Sequence, residues 1–94
     1  MRDFIDYTEY MDNDYKVYVD VNEDRLKSGE LIPLSFVWDD GQYFEIDRVL
    51  DVRQAASLKA GGVGLRYTVR IQNENKYMFL EEDGDKIRWF MERK

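Results

Sequence analysis

The sequence predicts an all-β domain, or a mainly β domain with one short N-terminal helix. Three observations carry this reading. Apolar residues recur at every second position from Tyr15 onward, the period of a half-buried strand. Aromatic residues make up 15% of the chain, and aromatic and β-branched residues favour strands. Short turns rich in Gly, Asp and Asn separate the alternating runs. Together they give five to six antiparallel strands in meander order, curled into an SH3-like or partly open small barrel.

Residues 1–14 form an acidic arm or short helix, and residues 15–94 a single β domain. In the arm, Phe4, Tyr7 and Met11 fall at helical spacing and Asp3 suits an N-cap. Tyr15, Val17, Val19 and Val21 define the first strand. The polar run Glu23–Leu31 reads as a loop. Ile32, Leu34, Phe36 and Trp38 share one face of the second strand, and Pro33, which lacks a ladder donor, suits its beginning or an edge. A long third strand runs from Gln42 to about Arg53, with Phe44, Ile46, Leu50 and Val52 on one face and a bend or bulge near Arg48–Val49. Ala55–Ala60 has the composition of a helical turn, with Gly61 as its cap. Leu65, Tyr67, Val69 and Ile71 mark the fourth strand, Tyr77 and Phe79 the fifth, and Ile87, Trp89 and Met91 the sixth.

Parity constrains the turns, because opposed residues share a face. A three-residue loop at Asp39-Asp40-Gly41 sets Phe36 opposite Phe44 and Leu34 opposite Ile46, with Gly41 in the left-handed position. The same rule at Asn73-Glu74-Asn75 sets Ile71 opposite Tyr77. At Glu82-Asp83-Gly84 it sets Phe79 opposite Ile87 and Tyr77 opposite Trp89. Tyr67, Phe79, Trp89, Phe36 and Phe44 then lie in the core. Tyr18, Tyr43, Phe90, Met78 and Leu80 fall on the opposite parity, which makes part of the outer face apolar.

Composition narrows the function. The chain has no cysteine and no histidine, which removes thiolate chemistry, disulfides and the usual neutral-pH base and metal ligand. A cysteine-free chain fits a reducing cytoplasm. No run reaches the roughly 18 apolar residues of a membrane helix, so no membrane partner is expected. The net charge of −6 opposes broad nucleic-acid binding. That charge is uneven: Met1–Asp14 carries five acids and one arginine, while Val52–Asn73 carries Arg53, Lys59, Arg66 and Arg70 and no acid.

Pro33-Leu34-Ser35-Phe36-Val37-Trp38, then Gly41, Tyr43, Ile46 and Val49-Leu50, with Arg66-Tyr67-Thr68-Val69 and Trp89, follow a Pro-x-x-Phe-x-Trp and Gly-x-Tyr pattern. In this the chain resembles an uncharacterised family of small bacterial β proteins, over about Tyr15 to Phe90. Some are encoded beside translesion DNA polymerases, so the resemblance implies a role near DNA repair. The chain departs from the pattern in its Gly-rich Arg53–Gly64 connection and its acidic arm.

The candidate site is that basic segment: Arg53, Lys59, Gly61, Gly62, Gly64, Arg66 and Arg70. Arg66, Thr68 and Arg70 alternate with an apolar row and so project from the outer face. Glycine N–H groups beside arginines suit a phosphate, a carboxylate or an acidic peptide. A solvated face paired with Asp20, Glu45, Asp47 or Asp51 is the plain alternative. Gly61-Gly62-Val63-Gly64 is no phosphate loop, because Lys59 precedes it and a strand follows. Its glycines suit positive φ and a tight re-entry into the next strand. Glu81–Asp85 lacks the order of a calcium loop, and Ser57 with Lys59 lacks the Ser-x-x-Lys spacing. No catalytic, metal or cofactor site is expected. The expected function is a non-catalytic module that binds a protein partner, or a second copy of itself, through the outer sheet face or an open edge. A nucleic-acid accessory domain using residues 53–70 is the alternative.

Overall fold

A computed structural model of the chain describes residues 16–56, 63–83 and 85–93. The expectations for Met1–Asp14, for Lys59, Gly61 and Gly62, and for most of the Ala55–Ala60 turn lie outside these residues. The described chain is all-β, with seven antiparallel strands rather than five or six. They are β1 (Lys16–Arg25), β2 (Leu31–Val37), β3 (Tyr43–Glu45), β4 (Arg48–Ala56), β5 (Val63–Ile71), β6 (Glu74–Asp83) and β7 (Lys86–Glu92). Their order in the sheet is β3-β2-β1-β7-β6-β5-β4.

The extra strand arises because the expected Gln42–Arg53 strand is divided. Its first part, β3, pairs with β2, and its second part, β4, pairs with β5. Only Ile46 and Asp47 lie between them. The Ile46 N–H donates to the Leu34 carbonyl at 2.9 Å and the Asp47 N–H to the Arg70 carbonyl at 2.8 Å. Adjacent residues thus bond to β2 and β5, strands in opposite halves of the sheet, and the sheet curls into a half-barrel. β1 is shared as well: residues 16–19 pair with β7 and residues 20–25 with β2.

The barrel interior holds Val17, Val19, Leu31, Phe36, Tyr67, Val69, Ile71, Met78, Leu80, Trp89 and Met91. Tyr67 is fully buried, and its ring lies 5.0 Å from that of Trp89. Its hydroxyl reaches across to β2, and the Trp89 Nε1 donates to Glu23 Oε1 at 2.6 Å. These bonds satisfy the polar ends of two rings whose bodies fill the core.

Two bulges reset the faces. Asn22 opposes Ser35 while Glu23 opposes Pro33, which leaves Leu34 unopposed. Leu34 is therefore exposed, and Leu31, Pro33 and Phe36 are buried instead of the expected Ile32–Leu34–Phe36 row. Pro33 sits beside this bulge, one of the few places a strand accepts it. In β4, Val49 opposes Val69 and Asp51 opposes Thr68, so Leu50 bulges outward into solvent.

The turns divide by type. Asp39-Asp40-Gly41 is the expected three-residue loop: Phe36 opposes Phe44, Gly41 has φ 89°, and the Asp40 carboxylate accepts from the Gln42 N–H. Lys27-Ser28-Gly29 repeats this geometry, with Gly29 at φ 96° and the Leu26 N–H bonded to the Glu30 carbonyl. It replaces most of the loop expected at Glu23–Leu31. The other two hairpins depart from expectation. Ile71 opposes Glu74 across a two-residue turn in which Gln72 and Asn73 both have positive φ, the type I′ signature. Asp83 opposes Lys86, leaving two residues between them. The register of β6 is thereby shifted by three residues, an odd number, so its two faces exchange. Met78 and Leu80 lie in the core, Tyr77 is exposed and Phe79 faces outward, the reverse of the expected assignment.

Candidate functional site

The register of the outer face brings one row of side chains across five strands. Arg53 opposes Arg66, Arg66 opposes Phe79, Phe79 opposes Phe90, and Phe90 opposes Tyr18. Cross-strand partners share a face, so the row runs from two arginines on β4 and β5 into three aromatic rings on β6, β7 and β1. Phe79 and Phe90 stack at 4.9 Å with 7° between their planes, and Tyr18 meets Phe90 edge-on at 5.7 Å.

Cations lie over these rings. Lys16 Nζ is 4.6 Å from the Phe90 centroid, Arg88 Cζ 4.5 Å from Tyr18, and Arg66 Cζ 4.5 Å from Tyr77. Each such contact is worth about 0.5–1 kcal/mol at an exposed site. Glu81 is the anionic counterpart. It is buried although it points to the outer side. It accepts from the Tyr18 hydroxyl at 3.0 Å and from Arg88 at 3.2 Å, with Lys16 Nζ at 3.6 Å. Burial raises the Tyr18 pKa, and the bond to Glu81 and its negative charge raise it further, while Arg88 pulls it down.

Of the residues singled out in the sequence, Arg53, Gly64, Arg66 and Arg70 lie on adjoining strands β4 and β5. Arg53 is exposed and bonded to Asp51 at 2.8 Å. Arg70 donates to Asn75 at 3.0 Å and stands opposite Arg48. Arg66 is half-buried, and its Nε is enclosed with no hydrogen-bond partner among the described residues. Gly64 has no positive φ; it lies inside β5 between Ala55 and Glu81. A Cβ there would come within 3.2 Å of the Leu80 carbonyl oxygen, so close strand approach explains this glycine.

The sequence reading missed Lys16, Arg88, Glu81, Tyr77 and Phe79 as outer-face residues. The three-residue register difference, which exchanges the faces of β6, hid Tyr77, Phe79 and Glu81. The alternation of Ile87, Trp89 and Met91 already placed Arg88 beside Phe90 on the outer parity, and that signal was available. Beyond Val19 and Trp89 the β1–β7 pairing stops, and a cleft of about 390 Å³ opens between Asp20, Glu23, Ile87 and Arg88. Among the described residues no three carboxylates gather where a cation would sit. No helix among them is long and apolar enough to cross a membrane. No known family model, curated protein or solved structure matches the chain.

Proposed function

We propose that the protein is a non-catalytic binding module whose outer sheet face docks a protein segment carrying carboxylates and an apolar side chain. The observation that carries this is the row Arg53–Arg66–Phe79–Phe90–Tyr18. Arg53 opposes Arg66 and Arg48 opposes Arg70, and like charges placed directly opposite destabilise a sheet. Asp51 answers Arg53, while the Arg66 Nε has no partner among the described residues. A partner carboxylate at Arg66 offsets that repulsion. An apolar side chain beside it meets the stacked Phe79 and Phe90 rings, the kind of aromatic anchor that dominates interfaces.

The same row favours a second reading. Arginines followed by stacked aromatics also suit single-stranded nucleic acid, whose bases stack on rings while its phosphates track the cations. The resemblance to proteins encoded beside translesion polymerases agrees with this reading. The two separate by anisotropy titration of a labelled acidic, phenylalanine-containing peptide and a labelled oligothymidylate, from low to physiological salt. Docking of a protein segment requires that the peptide bind, keep much of its affinity in salt through the rings, and lose it in Arg66→Ala and Phe79→Ala. Oligonucleotide binding that falls steeply with salt supports the second reading. If neither probe binds in an Arg66-dependent way, both readings fail.

A further inference from the structure

The sheet ends in two unlike edges. β3 is three residues long and β4 nine. Short edge strands resist pairing with another chain, as do edges that carry Lys, Pro or a bulge. β4 carries neither Lys nor Pro, and its bulge at Leu50 lies ahead of a regular stretch, Asp51–Ala56. Among the described residues this stretch has a ladder partner, β5, on one side alone.

The hairpin between β5 and β6 fixes which groups of β4 face that free edge. A two-residue type I′ turn closes on a pair that exchanges both backbone hydrogen bonds, here Ile71 and Glu74. Leu65, Tyr67, Val69 and Ile71 thus direct their N–H and C=O groups at β6, and Gly64, Arg66 and Thr68 direct theirs at β4. The β4 residues opposite these three, Ala55, Arg53 and Asp51, bond back to β5. Val52 and Gln54 therefore turn their N–H and C=O groups away from β5, to the open edge. Asp51 and Arg53 stand together on the outer face, exposed and ion-paired at 2.8 Å.

This edge is self-complementary. Laid antiparallel against a second copy about Val52, it exchanges both Val52 backbone bonds with the other Val52 and sets Gln54 opposite Leu50. Asp51 of each copy then stands opposite Arg53 of the other, at a pair without backbone bonds, where side chains approach most closely. Parallel alignment in register brings like charges together instead. We propose that β4 is a homodimer edge: two copies join antiparallel, centred on Val52, and their two Asp51–Arg53 pairs merge into one ring of alternating charge. The pairing uses the strand edge and is independent of the outer-face docking proposed above.

The test follows the mass of the full chain by sedimentation equilibrium from micromolar to millimolar concentration. The parent should shift from monomer to dimer. Asp51→Arg and Arg53→Asp should each lose the dimer, because each sets like charges across the seam. An equimolar mixture of the two should regain it as a heterodimer, since the introduced charges then oppose one another. A variant that had merely failed to fold gives no such rescue. Val52→Pro should also lose the dimer while keeping the β5 ladder, whose bonds do not use the Val52 N–H. Phe79→Ala should keep it. The proposal is overturned by a parent that stays monomeric throughout, by a dimer that survives either charge reversal or Val52→Pro, or by a mixture that stays monomeric. A dimer lost in Phe79→Ala overturns it as well, because the copies then meet through the outer-face rings.

Discussion

The Tyr67 hydroxyl donates to the Leu31 carbonyl oxygen at 2.6 Å, across the interior of the half-barrel. Tyr67 lies on β5 and Leu31 on β2. These strands are not neighbours in the sheet, so the bond ties together walls that no ladder joins. Tyr67→Phe leaves a buried carbonyl without its donor. The expected cost is about 1–3 kcal/mol, read from the midpoint of a urea unfolding curve.

The same hydroxyl gives a pH dependence. Burial raises the Tyr67 pKa above its ordinary value, and the negative charges of Glu30 and Glu23 raise it further. The neutral form is thus favoured more in the folded state than in the unfolded one. Its contribution is fully present below the unfolded tyrosine pKa of about 10 and is lost as pH rises through the higher folded value. Stability should fall with pH above about 10, less steeply in Tyr67→Phe than in the parent. Equal slopes in the two proteins would exclude Tyr67 as the source.

The register of β6 is open to a direct test. Met78 is fully buried and Tyr77 half exposed, at 50%. Met78→Ala should cost roughly 2–5 kcal/mol, whereas Tyr77→Ala should cost about 1 kcal/mol or less, chiefly through the lost Arg66 contact. The three-residue turn at Asn73–Asn75 requires the opposite order.

Glu81 holds Tyr18, Arg88 and Lys16 together on the outer face. Glu81→Gln keeps the shape and removes the charge. The Tyr18 ring, followed by NMR through an alkaline titration, should ionise at lower pH in the variant, because one of the influences holding its proton is gone. The burial contribution stays, so the pKa should not fall all the way to the ordinary tyrosine value. An unchanged Tyr18 titration would mean that the bond is not formed in solution.

The turn between β5 and β6 places Gln72 at φ 50° and Asn73 at φ 68°. The left-handed region suits Asn and Gly better than Gln. Gln72→Asn and Asn73→Gly should each stabilise the protein by roughly 0.5–1 kcal/mol, measured as an increase in Tm.

That turn also explains where the sequence was legible and where it was not. At Asp39-Asp40-Gly41 the glycine lies where a left-handed residue is needed, and the loop length follows from the residues. At Gln72-Asn73 the first left-handed position holds a glutamine, which argues locally for a different loop. The strand that follows gives no help, because Tyr77, Met78, Phe79 and Leu80 are all apolar and either row can be buried. Packing against Tyr67 and Trp89 decides in favour of Met78 and Leu80. Bulges at Leu34 and Leu50 escape in the same way: each leucine fits an alternating apolar row, and only pairing with the neighbouring strand shows that it stands outside. On the outer face, the projection of Arg66 and Arg70 followed from alternation alone. Their opposition to Arg53 and Arg48 did not, because it needs the cross-strand register.

The sharing of β1 between two partners bears on how the chain folds. β1 to β3 form one run of local hairpins and β4 to β7 another. Each run can form from contacts close in sequence, with little loop entropy to overcome. The pairing of Lys16–Val19 with Trp89–Glu92 is different, since its partners are separated by nearly the whole domain. It brings the two runs together in three dimensions, and it sets the long-range step of folding. The four-residue stretch that completes the sheet is therefore the place where the rate of assembly is governed. A weakened Val17 or Met91 contact there should slow the final docking while leaving both sets of hairpins able to form.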